Sequence, residues 1–295
     1  LDPTMCLDPA GCDDTSLPPL PVGSWAHRLG GPGADLPGDL TSIPGGDFML
    51  VGSYDSELCG PGRLVSGTGG RGVVVARDGP NVEQRWVESY GGPGSDDAHG
   101  VHVSSTSRVY VTGDFSDTID FAGSSLTAAG SGDAFVVAMG GLGQISWAAR
   151  TGGPGGASGL DVASGPDDSV YVVGSFSDTL DLGQVPAADG VDGMIVKLAD
   201  GGAPEWARVI GGPTSEDVVD SVAVDPDTGD VFVVGSVSAS NSGLPGEVEF
   251  AGATVATHGS RDAFVASFTA DGELRWVHAF GSHVNDLATD VAVDS

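Results

Sequence analysis

Residues 86–94 read WVESYGGPG, and the reading of this phrase decides the fold. Trp86 is followed five residues on by Gly91-Gly92-Pro93. The phrase returns as Trp25 with Gly30-Gly31-Pro32, Trp147 with Gly152-Gly153-Pro154, and Trp206 with Gly211-Gly212-Pro213. A degraded copy, Trp276 with Gly281-Ser282-His283, closes the series. All five tryptophans share this phase, spaced 61, 61, 59 and 70 residues apart. Self-similarity at a fixed period means one supersecondary unit stacked on copies of itself.

The second copy gives the clearest local reading. Trp86–Tyr90 alternates as a strand, and GGPGSDD (91–97) is a loop whose glycines allow backbone shapes other residues resist. His99–Val103 reads as a strand, STS (104–106) as a tight turn, and RVYVTG (108–113) as a further strand of β-branched and aromatic residues. DFSDTIDFAGSSLTAAGSG is a long connection with room for an edge ribbon, DAFVVAM (133–139) a fourth strand, and GGLGQ the hairpin turn before Trp147. FMLVG (48–52), VYVVG (170–174) and VFVVG (231–235) repeat the RVYVTG strand, each ending in glycine. An Asp fourteen residues before the Trp recurs as Asp133, Asp192 and Asp262, with Gly72 in the first copy. An acid ten residues after the Trp recurs as Asp35, Asp96, Glu216 and Asp286, with Ala157 in the third. The fourth copy is lengthened by SASNSGLPGEVEF (238–250).

Four short strands per unit with no helical periodicity predict an all-β fold: a β-propeller of four-stranded antiparallel blades, four complete repeats plus a partial fifth. A β-helix is the rival repeat architecture, but its rungs are about half this length or less. The propeller spans 23–295. Residues 1–22, LDPTMCLDPAGCDDTSLPPLPV, read as a Pro/Asp-rich tether with an extended SLPPLP portion. Cys6 and Cys12 there form either a small disulfide loop, which implies an oxidising compartment, or two free thiols; Cys59 reads as a partly buried apolar residue. The Trp strand comes last in each unit and should lie outermost in its blade. Ser24–Leu29 is then an outermost strand and Leu287–Asp294 an innermost one, with the two strands between them missing. Either the natural chain continues past Ser295 or another molecule supplies strands.

The pattern W…GGxGxD…VYVxGxFSDTxDF…G…DAFVxxx…G…W resembles the bacterial β-propeller repeat often called the SBBP repeat, over residues 23–295. The resemblance implies a secreted or surface bacterial protein and no particular activity.

The chain has 41 acids against 11 bases, a net charge of −30, and its one lysine is Lys197. Such a surface repels nucleic-acid phosphates and anionic lipid, so neither is an expected partner. It would attract Ca²⁺ or suit a salty medium; acidic, Lys-poor usage also reflects a GC-rich genome. Apolar runs such as FVVAM (135–139) fall far short of the roughly 18 residues that span a bilayer. No GxSxG elbow and no HExxH occurs. His99 and His102, three apart on one strand, should face opposite sides. His27 and His278, each two residues after a Trp, read as solvent-facing. GTGGRG (67–72) matches GxGxxG but lacks the βαβ context, and reads as a glycine-rich loop.

Asp117/Asp120 and Asp178/Asp181 in the SDTxD phrase, like Asp133, Asp192 and Asp262, recur by repeat. Recurrence assigns them to turns and to backbone amides rather than to catalysis, for which a pair should be unique. DPDTGD (225–230) is the best local metal candidate, with Asp225, Asp227 and Asp230 offering oxygens to Ca²⁺ or simply closing a turn like GPDDS (165–169). These readings favour a secreted or cell-surface, non-catalytic structural or adhesive module. It would bind a protein or glycan surface, or its own kind by strand addition into a filament. The alternative is a carbohydrate-active hydrolase or lyase at the propeller channel.

Overall fold

The computed structural model describes residues 33–60, 63–80, 84–182, 185, 188–211, 216–238 and 246–294. The tether, Cys6, Cys12, Trp25 and His27 lie outside these residues, as does the side chain of Cys59. Among the described residues the chain is all-β, and no helix is long and apolar enough to cross a membrane.

Among the described residues the strands form five antiparallel sheets, four of them following one another in chain order and the fifth a two-stranded ribbon. Sheet one is β1 (Leu36–Ser42), β2 (Phe48–Gly60), β3 (Arg63–Asp78) and β4 (Gln84–Tyr90). Sheet two begins with β5 (Asp96–Val103) and β6 (Arg108–Phe115). It detours through a ribbon of β7 (Thr118–Phe121) and β8 (Ser124–Thr127), and ends with β9 (Asp133–Gly140) and β10 (Ile145–Thr151). Sheet three is β11 (Ala157–Ser164), β12 (Val170–Asp178), β13 (Ala188–Leu198) and β14 (Pro204–Ile210). Sheet four starts with β15 (Val218–Val224) and β16 (Val231–Val237). A second ribbon, β17 (Gly246–Phe250) and β18 (Ala253–Thr257), pairs through Phe250 with Ile210 and so extends sheet three to six strands, and β19 (Asp262–Phe268) and β20 (Leu274–Phe280) complete sheet four. Each set of four strands therefore closes on its Trp strand.

Two readings change here. GTGGRG lies within β3 rather than in a loop, because the β2–β3 hairpin runs far beyond the body of sheet one. Leu287–Asp294 pairs with no strand among the described residues.

The strands are near-continuous apolar runs because each inner sheet is covered on both faces. In β9, Ala134 to Met139 are all fully buried. Alternation then sends neighbours into different cores. Phe135, Val137 and Met139 join Met49, Val51, Val73 and Val75 of sheet one. Ala134, Val136 and Ala138 join Val170, Val172, Met194 and Val196 of sheet three. A third core joins sheets three and four through Tyr171, Val173, Ile195, Val233, Phe264 and Phe268. Each fully buried Val or Phe contributes roughly 1.5–3 kcal/mol.

The first strands lie side by side, β1 on β5, β5 on β11 and β11 on β15. Each carries a bulge, at Pro37/Leu40, Ala98/Gly100, Gly159/Asp161 and Val219/Ser221. Opposite each bulge sits the glycine that ends the second-strand motif: Gly52, Gly113, Gly174 or Gly235. A Cβ at Gly113 would lie 1.9 Å from the Asp97 carbonyl oxygen, and one at Gly235 2.1 Å from that of Val218. The ribbons lie across consecutive sheets, β7 touching β4 while β8 touches β10, and β17 touching β14 while β18 touches β20. Phe121 of the first ribbon wedges between Tyr90 and Phe135, at 5.3 and 5.1 Å between ring centroids.

Candidate functional site

The most repeated chemistry lies at the seams between sheets. Trp86 Nε1 donates to the Gly141 carbonyl at 3.1 Å, Trp147 Nε1 to Asp200 at 2.7 Å, and Trp206 Nε1 to Ala270 at 3.1 Å. Each acceptor sits in the outer hairpin turn of the next sheet. Two residues beyond it lies a glycine with left-handed backbone: Gly143, Gly202 or Gly272, at φ 84°, 82° and 77°. The indole lies against that glycine. A Cβ at Gly202 would come within 2.6 Å of the Trp147 ring, and one at Gly272 within 2.9 Å of Trp206. Within its own sheet, Trp147 packs on Tyr110, Trp206 on Tyr171 and Trp276 on Phe232. Among the described residues the Trp276 indole meets no such turn, and it is 39% exposed. His278 is exposed and lies against the Trp276 ring.

A second fastening lies at the opposite end of each seam. A parallel bridge joins the residue before Gly72, Asp133, Asp192 or Asp262 to the crossing segment that follows the Trp strand: Arg71 to Ser95, Gly132 to Gly156, Val191 to Glu216 and Arg261 to Asn285. Asp133, Asp192 and Asp262 are buried beside these bridges. Asp133 accepts from Ala129 N at 2.6 Å and Gly153 N at 3.2 Å, and pairs with Arg150 at 2.6 Å. Asp262 accepts from His258 N. Each carboxylate presses on the first glycine of the GGP phrase. A Cβ at Gly152, Gly211 or Gly281 would fall 2.2, 2.4 or 2.1 Å from Oδ1 of Asp133, Asp192 or Asp262. In sheet one the Tyr54 ring closes on Gly72 instead.

The recurring acid after the Trp is Asp217 in the fourth copy, not Glu216. Asp217 is buried and accepts from Ser238 N at 2.6 Å, while Glu216 is exposed and pairs with Arg261. The register locates it, since Val218 faces Ser236 as Asp97 faces Asp114. The SDTxD acids close turns. Asp117 and Asp178 take left-handed φ of 61° and 67°, Asp120 accepts from Gly123 N, and Asp181 pairs with Arg150.

Asp225, Asp227 and Asp230 are not brought together as a ligand set. Asp225 Oδ1 accepts from the backbone N–H of Asp227 and of Thr228, at 2.8 and 3.0 Å, and Asp230 pairs with Arg275. Among the described residues no group of three or more His, Cys, Asp or Glu is arranged to hold a metal ion.

One constellation departs from the repeat. His99 and Asp114 replace Gly38, Leu160 and Asp220, and Ser53, Ser175 and Ser236, at equivalent register positions. His99 Nε2 lies 2.7 Å from Asp114 Oδ1, which also accepts from Ser158 Oγ of sheet three at 2.8 Å. The seam before it has the same contact with roles exchanged, Ser53 Oγ donating to Asp97 Oδ1 at 2.5 Å. His102 reaches Ser164, also of sheet three, at 3.0 Å. The two histidines therefore do not diverge, because the bulge at Ala98/Gly100 resets the strand's alternation. Counting residues from the Trp misses this pair; comparing each copy with the others at one register position finds it. A cavity of about 330 Å³ opens beside it, lined by Asp114, Ser131, Ser158, Ser175 and Ser177.

Deeper along the first strands, Asp39 accepts from Val101 N at 3.1 Å and Asp161 from Val222 N at 2.9 Å and Ser221 Oγ at 2.8 Å. Burial pushes the Asp161 carboxyl up to about 6. It pushes Asp96 up to about 7, with Asp97, Asp114 and Asp117 adding repulsion. The bond to Asp114 raises His99, whereas burial lowers His102.

No family model matches the chain, and no curated protein matches it. Among solved structures it is similar to a protein of unknown function from Bacteroides caccae. The two share 6% sequence identity over 87% of this chain and 85% of that one, with a TM-score of 0.36.

Two outcomes are expected. Trp147→Ala should cost about 3 kcal/mol in urea unfolding, and Trp147→Phe about 1, the worth of the indole hydrogen bond; Trp276→Ala should cost less than about 1. Asp96, Asp161 and His99 all hold protons more tightly folded than unfolded, so stability falls as pH rises through their folded values. The melting temperature should therefore be higher near pH 6 than at pH 8.5, and Asp96→Asn should narrow that gap by raising the value at pH 8.5.

Proposed function

We propose that the chain is a stretch of β-propeller of the SBBP type, serving as a non-catalytic structural or adhesive module outside the cell, on a bacterial surface or in a secreted assembly. The observation that carries the reading is the use to which the recurring polar and aromatic residues are put. The tryptophans fasten sheet to sheet, and the aspartates hold backbone amides, arginines or turns. Each sheet is covered by the next in chain order, as radial packing of blades requires. The strongly acidic surface favours protein or glycan partners over nucleic acid.

The hydrolase alternative has one observation in its favour, the non-repeating His99–Asp114 pair beside the serine-lined cavity. Both groups are already joined to the seam, so the structural reading takes precedence. Purified protein should bind immobilised glycans or matrix proteins, or sediment faster as concentration rises, and His99→Gln should leave both unchanged. A monomer at every concentration that binds none of these surfaces would contradict the module reading. Polysaccharide turnover abolished by His99→Gln would favour the hydrolase.

A further inference from the structure

The parallel bridges set matching positions of the four seams side by side. Gly132 stands where the other copies have Arg71, Val191 and Arg261. One residue past the crossing partner, Ala157 stands where the others have Asp96, Asp217 and Asp286. The seam between sheets two and three therefore lacks two side chains that the repeat supplies elsewhere. The cavity of about 330 Å³ opens at this seam, and both Gly132 and Ala157 line it.

The seam between sheets one and two shows what such a place holds when it is filled. Arg71 Nη1 donates to Asp97 Oδ1 at 3.1 Å, and Ser53 Oγ donates to the same oxygen at 2.5 Å. At the next seam the acid and the serine change places, Asp114 standing for Ser53 and Ser158 for Asp97. Their bond is kept, Ser158 Oγ donating to Asp114 Oδ1 at 2.8 Å, but glycine at 132 brings no guanidinium. His99 meets Asp114 from within its own sheet, also at Oδ1, and does not line the cavity. Among the described residues Asp114 Oδ2 accepts no hydrogen bond and the Ser175 hydroxyl makes none; both residues line the cavity.

We propose that this cavity is a binding site for a guanidinium group, held by Asp114 Oδ2 and Ser175 Oγ in the place that Arg71 takes one seam earlier. A guanidinium is a planar, weakly hydrated cation with N–H donors and no acceptor. The cavity answers with a carboxylate and with the hydroxyls of Ser131, Ser158, Ser175 and Ser177. A charge-assisted bond to the carboxylate supplies the attraction, and the hydroxyls accept from the remaining N–H groups. This site goes beyond the module reading and does not depend on it, since it follows from the difference between two seams.

The probes are N-acetyl-arginine amide and methylguanidinium, titrated into the whole chain and followed by the NMR backbone amide signals of Gly132, Ser158 and Ser175. The arginine derivative should shift all three, with a dissociation constant on the order of 1 mM or below. Its citrulline analogue, of similar shape and uncharged, should bind more weakly by about tenfold or more. Asp114→Asn should weaken binding by a similar factor. Asp97→Asn, at the seam where Arg71 already supplies the cation, should leave it unchanged. Gly132→Arg should abolish binding by filling the cavity from within, since a Cβ there meets only the Phe115 carbonyl, its oxygen at 3.2 Å. Methylguanidinium binding as tightly as the arginine derivative would support the site and assign it to a small free cation. An arginine derivative that binds tighter by about tenfold would support it and assign it to an arginine of a partner chain. No amide shift at about 10 mM probe, equal binding of the citrulline analogue, or undiminished binding to Asp114→Asn would overturn the proposal.

Discussion

The structure depends on an indole in one sheet reaching the hairpin turn of the next. A tryptophan can do this because it joins a large apolar face to a single N–H donor. The face lies on a left-handed glycine and the N–H ends on a carbonyl two residues earlier. That pairing fixes the height and tilt of one sheet against its neighbour at its outer edge. At the other end, a short parallel bridge and a buried aspartate fix the chain as it crosses between sheets. A sheet held at both ends can bury both faces, which is why strands such as β9 read as unbroken apolar runs.

The glycines follow from the same close approaches. The first glycine of the GGP phrase accommodates a carboxylate, the glycine ending the second strand accommodates a carbonyl, and the turn glycine accommodates an indole ring. Three kinds of neighbour thus select one residue type at three phases of the repeat. Among the described residues, the glycines at these three phases occupy places that close contacts require.

Much of this was legible in the sequence. The tryptophan phase gave the period, and the β-branched runs gave the strands. The recurrence of Asp133, Asp192 and Asp262 marked them as structural acids. The job of the tryptophans was not legible, because their acceptors lie 53 to 64 residues ahead, in another unit. Local counting also failed at the bulges. It placed His99 and His102 on opposite sides and chose Glu216 over Asp217, because a bulge or a loop lengthened by one residue changes register without changing residue type. The departure of His99 and Asp114 from the repeat was present in the sequence, but it acquires meaning only when positions are matched by pairing partner.

The exposed end of the series is informative for the same reason that its covered parts are regular. Trp276 and Phe280 are apolar because their phase demands it, and they are open because no further sheet covers them among the described residues. The most direct test of the account is the exchange of tryptophan indole protons with solvent, followed by NMR on the intact chain. The indole N–H signals of Trp86, Trp147 and Trp206 should exchange slowly, and that of Trp276 should exchange nearly as fast as a free indole. Equal, fast exchange at all four would show that the indoles do not hold the sheets together.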